Sequence, residues 1–122
     1  MIDVIIPAYR GFAQTRRCLE SVLGARVATP HEVVVIDDAI PEPRLSGWLI
    51  GLAAGGRFTL LSHAANLGFV ATVNEGMRLH LDRDVLLLNS DTEVADGWLD
   101  RISACALREP RVASVDVRRS GR

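Results

Sequence analysis

The 122-residue chain contains no lysine, so its fourteen Lys-or-Arg positions are all arginine. That absence excludes a Walker-type phosphate loop, whose lysine is missing, and it excludes Schiff-base chemistry. A phosphate must therefore be met by arginine or by backbone N–H groups. Neither sign of charge is in excess, the formal net charge being −1, which gives no electrostatic reason to expect nucleic acid or a membrane surface as partner. No apolar run approaches the length of a membrane span, and the N-terminus lacks a basic start followed by an apolar core. The expectation is a soluble, cytoplasmic chain, with work at the cytoplasmic face of a membrane left open. The only cysteines, Cys18 and Cys105, fall within helical patterns, where a buried, inert thiol is expected rather than a disulfide or metal site. His31, His63 and His80 lack metal-ligand spacing. A G-x-G-x-x-G loop is also missing, which argues against a dehydrogenase.

What is present is a 48% hydrophobic sequence long enough for one domain and too short for two. Val85-Leu86-Leu87-Leu88 has no polar alternation and suits a strand buried on both faces. It breaks into Asn89-Ser90-Asp91-Thr92-Glu93, a group of short oxygen-bearing side chains. Val4-Ile5-Ile6, stopped by Pro7, reads as the first strand, and Val33-Val34-Val35-Ile36, ending in Asp37-Asp38, as the second. Phe58 to Leu61 reads as a shorter third strand, and Val112 to Val117 as a fifth. Between them, Thr15, Cys18, Leu19, Val22 and Leu23 keep helical spacing, as do Leu45, Trp48, Leu49, Leu52 and Ala53. A third helix is expected with Asn66 as its cap and Val70, Val73, Met77 and Leu81 on one face. A fourth is expected with Asp96 as its cap, carrying Trp98, Leu99 and Ile102.

Strands alternate with helices throughout, which predicts an α/β fold: a Rossmann-like parallel sheet with helices on both faces. Residues 1–117 form the domain and 118–122 a polar tail. Parallel strands share a carboxyl edge, so Tyr9-Arg10, Asp37-Asp38, the His63 to Asn66 stretch and Asn89 to Asp91 converge there. One such cluster is a turn with capping residues; four on one edge are a ligand site. Oxygen ligands suit a hard cation, Mg2+ or Mn2+, with Asp91 able to hold a metal that bridges two phosphates. The acid after the second strand suits a ribose hydroxyl or base N–H, and the aromatic after the first suits a base. The ligand expected is a nucleoside diphosphate.

Four stretches carry a family resemblance. Val4-Ile5-Ile6-Pro7-Ala8-Tyr9, Val35-Ile36-Asp37-Asp38-Ala39, Asn66-Leu67-Gly68-Phe69 and Leu87-Leu88-Asn89-Ser90-Asp91-Thr92-Glu93 resemble, in order, successive motifs of family 2 glycosyltransferases. These are inverting enzymes of the GT-A fold, and the chain is most similar to their rhamnosyltransferase-like branch, where asparagine often replaces a first aspartate of the metal motif. The resemblance implies that Pro7, Ala8 and Tyr9 border the base and ribose, and that Asp38, with Asp37 beside it, binds them. It implies that Asn66 and Gly68 lie beside the pyrophosphate and donor sugar. Asp91 would be the metal ligand, with Asn89 in the place of an acid. The implied partners are a UDP- or dTDP-sugar donor and a saccharide or other hydroxyl acceptor.

The sequence departs from that family in two places. Many relatives read Asp-Asp-Gly-Ser after the second strand, whereas this chain reads Asp37-Asp38-Ala39-Ile40. Relatives also continue for about as many residues again, supplying an acceptor wall and the general base that inversion needs; no downstream acid here matches that base. The alternative reading is a non-catalytic nucleotide-sugar-binding half domain that pairs as a homodimer or with another chain. A phospho-receiver domain is rejected, because it needs an acidic pair after the first strand and a lysine after the fifth.

Overall fold

The computed structural model describes residues 1–106 and 112–115. Its elements run β1 (Ile2–Ala8), α1 (Phe12–Gly24), β2 (His31–Asp37), α2 (Pro43–Ala53), β3 (Thr59–Ser62), α3 (Phe69–Arg78), β4 (Asp84–Leu88), α4 (Trp98–Ala106) and β5 (Val112–Val115). All strand pairs are parallel, in the order β3-β2-β1-β4-β5. The strands have no polar alternation because both faces are covered: Val4, Ile5 and Ile6 of β1 and Val34, Val35 and Ile36 of β2 are all fully buried. The expected fifth strand is described over Val112–Val115, and the polar tail lies outside the described residues.

The two faces are packed unequally. On one, Cys18, Leu19 and Val22 of α1, Leu45 and Leu49 of α2, and Trp98 and Leu99 of α4 join Val4, Ile6, Val35, Leu86 and Leu88 in the larger core. Each fully buried leucine contributes about 1.5–3 kcal/mol. On the other face, Ile5, Val34, Ile36 and Val85 form a smaller cluster against which Met77 of α3 packs.

Helix α3 differs from its expected form. Its N-cap is Gly68, at φ 90°, rather than Asn66, and it ends at Arg78, short of Leu81. Its buried positions are Thr72, Val73 and Gly76, while Val70 and Leu81 are exposed. The expected stripe ignored Gly76, which alone lets the helix approach the sheet: a Cβ there would lie 2.8 Å from Ile5 Cγ2. Close backbone approach, not side-chain size, selects the buried face. Asp96 also differs from expectation, since its carboxylate accepts Arg26 N–H at 2.8 Å and thus holds the α1–β2 loop instead of capping α4.

Gly76→Ala should therefore lower stability by about 1–3 kcal/mol through overpacking, whereas Gly47→Ala in α2, whose Cβ would meet nothing within 4 Å, should raise it by about 0.5–1 kcal/mol. Urea unfolding of the two variants checks both signs.

Candidate functional site

The carboxyl edge of the sheet opens into a cavity of about 710 Å³. It lies where the strand order reverses, at the end of β1, with β2 on one side and β4 on the other. Pro7, Ala8, Tyr9, Asp38, Asn66, Gly68, Asn89 and Asp91 all line it, so the structure brings together every residue expected in the site except Asp37. Arg10, Gly11, Gln14, Phe69, Thr72 and Ser90 complete the wall. Of these, Arg10 was placed by the sequence at the end of the first strand but assigned no role there. Its guanidinium stands 5.0 Å over the Tyr9 ring.

Asp37 is buried and works locally. Its carboxylate accepts Ile40 N–H and the Ser46 hydroxyl, both at 2.8 Å, which closes the turn after β2. That turn carries Ala39 at φ 55°, a left-handed conformation that glycine adopts without the steric cost a Cβ brings. The glycine missing from the sequence motif is thus missing at the one position of this turn that favours it.

Asp38 lies one residue beyond β2, and its side chain is only 7% exposed. The carboxylate accepts His63 Nδ1–H at 2.8 Å, Asn66 Nδ2–H at 2.8 Å, Leu67 N–H at 2.8 Å and Gly68 N–H at 3.0 Å. Asn66 donates also to the Asp38 carbonyl, at 3.1 Å. A carboxylate taken out of water must be compensated in this way. Burial pushes the Asp38 carboxyl up, but the bonds from Leu67 N–H, His63 and Gly68 N–H outweigh it and hold it below the usual aspartate range. The imidazole of His63 is raised above the usual histidine range by its bonds to Asp38 and Glu75. His63 drew no role from its sequence spacing, because its partners, Asp38 just beyond β2 and Glu75 on α3, are distant in sequence.

Asp91 is the opposite case. It is exposed at the mouth, and among the described residues it has no hydrogen-bond or ion-pair partner. Asn89 and Ser90 stand beside it in the wall. A carboxylate, an amide oxygen and a hydroxyl fit a hard divalent cation that keeps positions for water and phosphate. A second group, Asp3, Glu32 and His80, brings ligand atoms within 4.8 Å of one another, but at the amino end of the sheet, where Asp3 is in register with Glu32. Arg83 already supplies the positive charge there, donating to Asp3 at 2.9 Å and to Glu32 at 2.8 Å. Near the β4 end, Cys18 is buried with its thiol pushed up to about 12 by desolvation, as expected of an inert core cysteine.

Fold and pocket together define a doubly wound α/β domain with a cavity at the switch point of the sheet. Residues 3–122 match the profile of Glycosyl transferase family 2, and the chain belongs to that family. Among solved structures it is similar to S. aureus TarS 1-349, at 21% identity over 84% of this chain and 31% of that one, with a TM-score of 0.66. The same protein in complex with UDP and with UDP-GlcNAc gives TM-scores of 0.67 at the same identity. The fold is therefore GT-A. The chain spans about a third of the length of those structures, and the comparison with curated proteins gives no match. Among the described residues, no helix is long and apolar enough to cross a membrane.

Two stability outcomes follow from the Asp38 turn. Ala39→Gly should stabilise the fold by about 1 kcal/mol, as left-handed strain is relieved, measured by chemical denaturation. The contribution of Asp38 should be fully present above the unfolded aspartate pKa of about 3.9 and be lost as pH falls through its lowered folded value. Acid unfolding of Asp38→Asn, compared with wild type, should accordingly lack that component.

Proposed function

We propose that this chain is the donor-binding portion of a glycosyltransferase that takes a UDP- or dTDP-sugar with Mg2+ or Mn2+ and serves inverting transfer to a hydroxyl of a saccharide or other acceptor. The supporting observation is the single cavity wall shared by Tyr9, Asn66, Gly68, Asn89 and Asp91 at the switch point. Tyr9 offers a face to the base, and Arg10 offers a planar cation to the diphosphate. Asn66 and Gly68 wall the donor, held in place by Asp38. Asp91, with Asn89 beside it, would hold the metal, which when bound neutralises charge developing on the leaving diphosphate.

Inverting transfer also needs a base for the acceptor hydroxyl. The carboxylates lining the pocket are Asp38 and Asp91. The first is saturated by donors and the second is the proposed metal ligand, so neither is assigned that role. A second reading, a binding half that pairs with another copy or chain, is favoured by one observation: Leu67, Phe69 and Val70 are exposed beside the cavity at 56%, 61% and 71%.

Calorimetric titration with UDP and dTDP tests the donor reading. Mn2+-dependent binding of one of them is expected, abolished in Asp91→Ala and weakened about tenfold or more in Arg10→Ala, the loss of a charged hydrogen bond. Absence of binding by both nucleotides with Mn2+ present would overturn it.

A further inference from the structure

Both ring nitrogens of His63 face carboxylate oxygens. Nδ1 is 2.8 Å from Asp38 Oδ1, and Nε2 is 2.6 Å from Glu75 Oε1. A neutral imidazole has one N–H and one lone pair, so it would turn a lone pair toward one of these carboxylates. Only the imidazolium satisfies both. The ring is itself 8% exposed and joins three elements: it follows β3, Asp38 follows β2, and Glu75 lies within α3. Asp38 and Glu75 are the charged groups that contact it among the described residues.

We propose that His63 is a positioning residue of the donor pocket: as an imidazolium it fixes the Asp38 carboxylate from which the Asn66–Gly68 wall hangs, so that nucleotide affinity follows its protonation. This rests on the donor-site reading above and adds a residue and a pH dependence to it. The chain of contacts is short. His63 donates to Asp38, Asp38 accepts Leu67 N–H and Gly68 N–H, and Asn66 and Gly68 line the cavity. When the ring loses its proton, Glu75, whose side chain is 45% exposed, turns to water, while buried Asp38 keeps a neutral and weaker bond. The tie from His63 to Glu75 of α3 opens, and the Asp38 carboxylate that accepts from the wall is held less firmly. The sign is set by the raised folded value: the effect is fully present below the unfolded histidine pKa of about 6.5 and is lost as pH rises through the raised one.

The test is a titration of UDP and dTDP with Mn2+ across pH 5.5 to about 9 on wild type, His63→Gln and Glu75→Gln, chosen to span the histidine range. Taking the ratio of wild type to variant at each pH cancels ionisation of the nucleotide. Wild-type affinity should fall about tenfold relative to His63→Gln as the ring deprotonates, and Glu75→Gln, which keeps the ring but removes one negative charge beside it, should move the midpoint to lower pH. A wild-type profile parallel to that of His63→Gln overturns the proposal. A ligand-free measurement separates its failure from that of the donor reading. In nitrogen-15 spectra the Leu67 and Gly68 amides should titrate with the His63 ring in wild type and not in His63→Gln. Titrating amides with no nucleotide bound at any pH would sink the donor reading alone; amides indifferent to the His63 titration would sink the role of His63.

Discussion

One buried carboxylate orders the carboxyl edge of this sheet. Asp38 follows the end of β2 at the edge of the cavity, and its charge is almost wholly withdrawn from water. Burying an ionised carboxylate without partners costs several kcal/mol, and the fold answers with donors from His63, Asn66, Leu67 and Gly68. Those donors span the whole β3–α3 connection. The connection between the end of β3 and the start of α3 is thereby tied to one side chain. Asn66 and Gly68 of that turn form one part of the cavity wall.

The unequal faces make this constraint matter more. Three helices cover the larger core, and α1 is tied to the segment after β4 through Ser21 Oγ, which accepts Val94 N–H at 3.0 Å. Helix α3 has a smaller core beneath it and leaves Phe69 and Val70 in solvent. Its position depends on a close backbone approach at Gly76 and on polar ties at its start. A helix with less apolar burial to hold it relies more on such ties, so the bonds to Asp38 and from His63 to Glu75 carry a larger share of its placement than capping does elsewhere in the chain.

The strands and the edge they share were legible because unbroken β-branched runs need no knowledge of the rest of the chain. The convergence of the candidate residues was legible for the same reason: parallel strands force their carboxyl ends together, and eight of the expected residues line one cavity. What could not be read is which polar residue answers which. Asn66 has the chemistry of a helix cap, yet its amide serves Asp38, 28 positions away in sequence. Asp96 likewise looks like a cap and instead holds Arg26 N–H, 70 positions away. Local rules rank what a side chain is able to do next to itself. They do not see a buried acceptor arriving from another strand, which offers more.

The same limit explains why Asp37, Asp38 and Asp91 look alike in the sequence and differ in the fold. Asp37 is spent on its own turn, Asp38 on the wall, and Asp91 is exposed with its oxygens uncommitted among the described residues. A carboxylate already accepting four hydrogen bonds has little capacity left for a ligand, and one with none has all of it. Under the donor reading proposed above, direct contact with a bound cation or diphosphate falls to Asp91 and to Arg10, while Asp38 acts through the backbone it holds. The absence of lysine reinforces this division. Arg10 is the one cationic side chain among the described residues of the wall, and its guanidinium stands 5.0 Å over the Tyr9 ring, a planar fork where lysine would offer a point charge.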